Sequence, residues 1–293
     1  MGVETAVKDF YNQFPYPSLK IKESKDLEKL PFQRFLFEIG KGYIKRGKTL
    51  DAGCGTGELA LLFGKEGFES YGTDISAVSL KIAKDISRRL KIPATFQKMD
   101  VSGLKFPENF FDLTICNGVL HHTKDPVLGF ENLVRVTKPG GKIIIVVYNK
   151  YGSLPRKALG KIARAFGGES KKDQIAFLRR IFRKRLEAKP DSVVADTYLN
   201  PYELSFSTPE VLKWFKKESV EYLESAPPIE LEYYPKVMIR FLQKKSLLET
   251  WLSVRGTVQA GAISYNPLSY FLTQMIWLLS SRGNIFAVIG EKR

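Results

Sequence analysis

The sequence predicts an α/β protein built on a doubly wound parallel sheet, and three observations predict it. Between Gly47 and Asn149 short apolar runs alternate with helical patterns, the order that gives parallel strands joined by crossover helices. The stretch from Lys48 to Leu59, K-T-L-D-A-G-C-G-T-G-E-L, reads as the end of a buried strand, a tight glycine turn and the first turn of a helix. Asp51, Asp74, Asp100 and Asn117 all fall at the carboxyl ends of predicted strands, where open α/β sheets hold their ligands.

Taken in order, Val3 to Gln13 reads as a short helix, ended by the extended segment that Pro15 and Pro17 impose. Pro31 opens a second helix, with Phe32, Phe35, Leu36, Ile39 and Tyr43 on one face. Strand 1 ends at Asp51 and a helix runs from Glu58 to Lys65. Strand 2 is Phe68 to Thr73, ended by Asp74, and a helix follows from Ser76 to Leu90. Strand 3 is Ala94 to Met99, ended by Asp100. Strand 4, Phe111 to Cys116, is nearly continuous in apolar residues, as a strand covered on both faces requires. Asp125 caps a helix with Pro126 at its first position, running to Val136. Lys138 to Gly141 (K-P-G-G) reads as a turn, and Lys142 to Val147 as strand 5.

The chain has 293 residues, enough to bury a large core, and its 44% apolar and 26% charged content is that of a globular protein. Its two cysteines, Cys54 and Cys116, form neither a C-x-x-C pair nor a disulfide framework. No signal pattern is evident at the N-terminus, and the longest strongly apolar stretch, Pro267 to Leu279, is too short to span a bilayer. The expectation is a cytoplasmic protein. The net charge of +15 is uneven: Arg156 to Lys189 holds twelve Lys or Arg and three acids, a net +9 in 34 residues. Such a block suits an anionic partner, RNA or an anionic membrane surface, or forms a solvated helical face.

Several motifs carry a family resemblance. The pattern D-x-G-x-G-x-G from Asp51 resembles motif I of class I methyltransferases that use S-adenosylmethionine. V-L-H-H before a D-P helix start (residues 119–126), F-D-L and K-P-G-G resemble the type 11 group, which includes ubiquinone and menaquinone methyltransferases. The likeness is dense over residues 48–149. It is thinner at the helix after Phe206 and at the final strand from Phe286. It implies a Rossmann-like, seven-stranded, mostly parallel sheet whose strand 7 is antiparallel and inserted beside strand 5. The whole then reads as one methyltransferase domain over 1–293. That domain comprises an N-terminal helical cap (1–46), the cofactor-binding core (47–149), a basic helical insertion (150–205), a second helical insertion (226–284) and remaining core elements (206–225 and 285–293).

Chemistry assigns roles within that frame. Gly53, Cys54, Gly55 and Gly57 form a turn whose backbone N–H groups can face the methionyl carboxylate. Asp74 follows Gly53 by 21 residues, close to the spacing of an acid that accepts ribose hydroxyls, with Ile75 beside it. The resemblance assigns the adenine amino group to Asp100 and ring pairing to the Val101 N–H. It lays Asn117 and Gly118 under the methionyl part, and Asp51 and Tyr11 join the cofactor set. Tyr16, Tyr148, Asn149 and Asp196 form the expected acceptor side, with Asp196 to Pro201 read as a polar turn. His121 and His122, the only histidines, are candidates for the base that removes an acceptor proton, or for loop packing. No spacing points to a metal. The expected activity is methyl transfer to a small or lipid-like acceptor. An RNA methyltransferase and a non-catalytic cofactor-binding module stand as alternatives.

Overall fold

A computed structural model of the chain describes residues 2–226, 229, 270, 272–274 and 285–293. The first strands and helices follow the predicted order: β1 (Lys48–Ala52), β2 (Glu69–Asp74), β3 (Thr95–Lys98), β4 (Phe111–Asn117) and β5 (Thr137–Tyr148), then β6 (Val220–Ala226) and β7 (Ile285–Lys292). They form one seven-stranded sheet in the order β3-β2-β1-β4-β5-β7-β6. All neighbouring pairs from β3 to β5 are parallel, and β7 runs antiparallel between β5 and β6. The antiparallel strand beside strand 5 is therefore present.

The helices are α1 (Val3–Gln13), α2 (Ser24–Glu28), α3 (Pro31–Tyr43), α4 (Glu58–Lys65), α5 (Ala77–Leu90), α6 (Pro126–Val136), α7 (Leu154–Phe166), α8 (Lys171–Ile181), α9 (Arg183–Leu186), α10 (Asp191–Leu199) and α11 (Thr208–Lys217). Their starts follow from cap chemistry. Asp125 Oδ1 accepts from the Leu128 N–H at 3.0 Å ahead of Pro126. Ser76 Oγ accepts from the Ser79 N–H, and Ser207 with Glu210 forms a capping box on α11.

Strand β5 shows why the central sheet is buried on both faces. Ile143, Ile145 and Val147 enter one core with Phe111, Phe130 and Phe215, while Ile144 and Val146 enter the other with Phe63, Leu113 and Ile115. Lys138 to Gly141 departs from the expected turn. It falls within the span of β5, but the register runs from Phe111↔Thr137 to Leu113↔Lys142, so β5 spends five residues there against two of β4. The glycines are absorbed as a bulge, with Gly140 at φ +73°.

A third core lies away from the sheet. Phe10 and Phe14 of the N-terminal cap pack with Ala163, Ile175, Leu178, Leu186 and Val194 of the insertion. Ile175, Leu178 and Leu186 are buried there, with Phe182 packed against them. Asp196 to Leu199, expected as a turn, is the end of α10. Val194, Ala195, Tyr198 and Leu199 are buried in the third core, and that packing overrides the local turn preference of Asp and Thr. Most of the expected second insertion (226–284) lies outside the described residues.

Candidate functional site

A cleft of about 640 Å³ opens over the carboxyl ends of β1, β2 and β4, within the range of small-molecule sites. Its floor comes from the sheet and its roof from α1, the Phe14–Ser18 strap and α10. Of the expected residues, Gly53, Gly55, Asp74, Ile75, Asp100, Val101, Asn117 and Gly118 line it. So do Tyr11, Tyr16, His121, His122, Tyr148 and Asp196.

Four expected residues do not line it. Asp51 is 6% exposed and faces the interior beneath the turn. Cys54 is buried, its thiol 3.7 Å from the Gly55 carbonyl. Gly57 is the N-cap of α4 at φ +88°, where an added Cβ would strike Ala83 and Phe96. Asn149 is fully buried, and its Oδ1 accepts from the Tyr151 and Gly152 N–H groups as it turns the chain out of β5.

The glycine turn is also spent differently from its expected use. The N–H groups of Gly53 and Cys54 donate to the Thr73 carbonyl, that of Thr56 to Tyr16 and that of Gly57 to Cys54. The Gly55 N–H donates to Asp74 Oδ2 at 2.9 Å. The turn's donors thus fix the strap and the β2 acid, and none of these five is free for a methionyl carboxylate. The Tyr16 carbonyl sits so close that a Cβ on Gly55 would lie 2.1 Å from it.

Asp74 Oδ1 accepts from the Ser76 N–H at 2.8 Å. Burial raises its pKa, while the Ser76, Gly55 and Ile75 N–H groups oppose the rise. A carboxylate has about four acceptor positions, so Asp74 keeps capacity toward the cleft. Asp100 Oδ1 accepts from the Ser102 N–H at 2.7 Å, and its Oδ2 has no partner among the described residues. An added Cβ on Gly118 would meet nothing within 4 Å, which leaves an open surface on the cleft wall. Two acids with spare acceptor capacity and a side-chain-free wall fit a ribose, an amino-purine and a flat chain beside them.

Burial pushes Asp51 up to about 8, helped by the charges of Asp74 and Glu58 and opposed by the Ala60 N–H. Burial also pushes Glu58 up to about 7, against a 2.6 Å hydrogen bond from the Thr56 hydroxyl.

The two histidines have opposite tautomers. His121 Nδ1 accepts from the Tyr148 N–H at 3.3 Å, so its hydrogen is on Nε2. His122 Nδ1 lies 2.7 Å from the Tyr202 carbonyl, which can only accept, so its hydrogen is on Nδ1 and Nε2 is an acceptor, reached by Asn200 Nδ2 at 3.5 Å. Burial lowers both pKa values. The His122 ring and Arg156 lower His121 further, while Asp196 pulls His122 back up.

Around His122 Nε2 lies a polar group. Asn200 Nδ2 is 3.5 Å from it and 3.1 Å from the Tyr11 hydroxyl, which donates to Asp196 Oδ1 at 2.7 Å. Asp196 Oδ2 has no hydrogen bond among the described residues. In the sequence Asn200 is only part of a turn-prone cluster. Arg156 belongs to the basic block, yet it is 7% exposed. Its guanidinium lies 3.9 Å over the Tyr148 ring and pairs with both Glu203 oxygens at 2.5 Å. Only three-dimensional pairing reveals either residue, because their partners lie 40 to 190 positions away in sequence.

Residues 50–145 match the methyltransferase domain family. A ubiquinone/menaquinone biosynthesis C-methyltransferase of Bdellovibrio bacteriovorus is 32% identical over 105 residues, 35% of this chain and 45% of that protein. An uncharacterized protein of Synechococcus is 27% identical over 253 residues, 76% of this chain and 60% of that protein. The chain spans about half the length of these relatives. The crystal structure of magnesium protoporphyrin IX methyltransferase from Synechocystis with SAH bound has a TM-score of 0.51, covering 76% of this chain and 91% of that one. At 17% identity the likeness is one of fold.

Proposed function

We infer from a chain whose residues 50–145 form a class I S-adenosylmethionine-dependent methyltransferase domain of the type 11 group that it moves a methyl group to a small or lipid-like acceptor in the cleft. One observation carries this reading. The acids at the ends of β2 and β3 and His122, whose unprotonated Nε2 is held only by a long 3.5 Å contact from Asn200, line the same cleft.

When bound, S-adenosylmethionine supplies a methyl group on a sulfonium, open to in-line displacement. Asp74 would accept from ribose hydroxyls and Asp100 from the adenine amino group, with the Val101 N–H beside it. Tyr11 and Asp196 would hold the acceptor against the reacting carbon, with Asn200 bracing Tyr11 from behind, and the cap and α10 would exclude water. His122 Nε2 would take the proton that an oxygen, nitrogen or carbon acceptor gives up. His121 is assigned to positioning. A quinone-type acceptor accords with the named activity of the Bdellovibrio relative.

Radiolabelled S-adenosylmethionine incubated with the protein and fractionated host extract tests this. Label in the organic-soluble or small-metabolite fraction supports the reading. Label in RNA supports the RNA alternative, and no label despite tight cofactor binding means a binding module.

A further inference from the structure

We propose that the outer face of α7 docks on an anionic lipid bilayer. Helix α7 carries an exposed apolar stripe in addition to the face it buries. Its inner face is buried. Ala163 packs in the third core, and Gly160 approaches α10 so closely that a Cβ there would lie 2.3 Å from the Tyr198 carbonyl. The outer face holds Leu154, Ala158, Ile162 and Phe166, four residues at i+4 spacing and all exposed. Leu154, Ile162 and Phe166 are 56%, 43% and 76% exposed. At 3.6 residues per turn they span an arc of about 120° and a length of about 18 Å. Among the described residues nothing covers this stripe. Ile181, the last residue of α8, adds a further exposed apolar side chain at 52%.

Charge identifies the occupant. Lys161 flanks the stripe on α7, and Lys172, Arg180, Lys184 and Arg185 stand on the following helices. All five are exposed, and none has an ion pair among the described residues. A helix with an apolar outer stripe and a cationic flank lies in the headgroup region of an anionic leaflet. RNA fits less well. Phe166 is the only ring in the stripe and Leu154, Ala158 and Ile162 offer none for base stacking, while a phosphate groove has no use for an aliphatic ladder. The placement also serves the cleft. Helix α10, packed on α7, supplies Val193 and Asp196 to its lining, so a docked α7 holds the cleft mouth near acceptors dissolved in lipid.

The test is co-sedimentation of the full chain with vesicles of equimolar phosphatidylglycerol and phosphatidylcholine, against phosphatidylcholine alone. It uses neither cofactor nor acceptor, so its outcome is independent of the methyl-transfer reading. The chain should sediment with the mixed vesicles and far less with the neutral ones. Ile162→Ser with Phe166→Ser should weaken that binding by about tenfold or more, since two apolar side chains leave the lipid. Lys161→Gln with Lys172→Gln and Arg180→Gln should weaken it and flatten its salt dependence. The proposal fails if the wild type ignores anionic vesicles at low salt, or if the serine variant binds as well as wild type. It fails too if the serine variant melts several degrees lower, because the stripe is then covered by the chain itself. Poly(U) displacing the protein from the vesicles at equal phosphate would assign the cations to RNA and also overturn it.

Discussion

The backbone N–H of Tyr148 donates to Nδ1 of His121 across 3.3 Å, and that contact commits the one lone pair of the neutral His121 ring. Gly118 pairs with Val146 at the end of the β4–β5 ladder, and His121 satisfies the next donor along β5. His122, its neighbour, uses Nδ1 on Tyr202 and leaves Nε2 unprotonated, 3.5 Å from Asn200 Nδ2.

Replacing each histidine should therefore give different outcomes. His122→Ala should lower kcat by about 10² to 10⁴, the usual worth of a positioned base, with cofactor affinity held. His121→Ala should lower stability by about 1–3 kcal/mol through an unpaired buried N–H. Single-turnover kinetics and thermal melts on both variants check this. Equal loss of kcat with no change in melting would reverse the assignment.

The pH profile follows from the same pair. Burial holds both histidines below their ordinary pKa. The neutral form of His122 is then present at pH 7, and activity falls as pH drops through its lowered pKa, below the ordinary value of about 6.5. The unfolded chain takes up protons in that window before the folded one does. Stability from the two histidines is therefore full above about pH 6.5 and lost below it. A kcat profile whose acid limb lies above pH 7 would exclude His122 as the base.

Asp74 has two duties. Asp74→Ala should cost about 1.5–3 kcal/mol of ribose binding, roughly a tenfold to hundredfold loss of cofactor affinity. It should also lower the melting temperature, because the Gly55 and Ser76 N–H groups lose their acceptor. Asp100→Ala exposes only the Ser102 N–H and should show the affinity loss with a smaller melting change. Calorimetry and melts on both decide it, and an Asp74→Ala protein that binds like wild type would make this acid purely structural.

Asp51 gives a stability signature. Its pKa in the fold is raised to about 8, against about 3.9 unfolded. The folded chain holds the extra proton, so this contribution is full below about pH 4 and is lost as pH rises through about 8, at up to roughly 1.4 kcal/mol per unit. Glu58, raised to about 7, acts with the same sign. Asp51→Asn should melt higher than wild type at pH 8.5 and much like it at pH 4. Equal melting at both pH values would mean that Asp51 is ionised throughout.

Arg156 and Glu203 form a buried pair under Tyr148. Arg156→Ala should destabilise by up to about 3–5 kcal/mol, because it leaves the buried Glu203 carboxylate only Lys157, at 3.7 Å, as a cationic partner. Arg156→Met with Glu203→Gln should recover much of that loss. If Arg156→Ala melts within a degree of wild type, the pair is not coupled to the fold.

The sequence by itself determined the sheet, its strand ends, the helix starts and the acids that meet at one cleft. Each is written locally. Alternation sets strands and helices, Pro126 and Asp125 start α6, and a strand's carboxyl end places Asp74 and Asp100 without reference to distant residues. Lys138 to Gly141 stayed in β5 because the β4 partner strand supplied a register that the turn residues alone could not show. Asp51, Cys54, Gly57 and Asn149 share the motif's neighbourhood but face inward, since a strand alternates sides and a turn spends its own donors. The tautomers of His121 and His122, the burial of Arg156 and the recruitment of Asn200 were decided only by tertiary structure. Each depends on a partner far along the chain, and the energy of a buried polar group is set by the partner it meets in space.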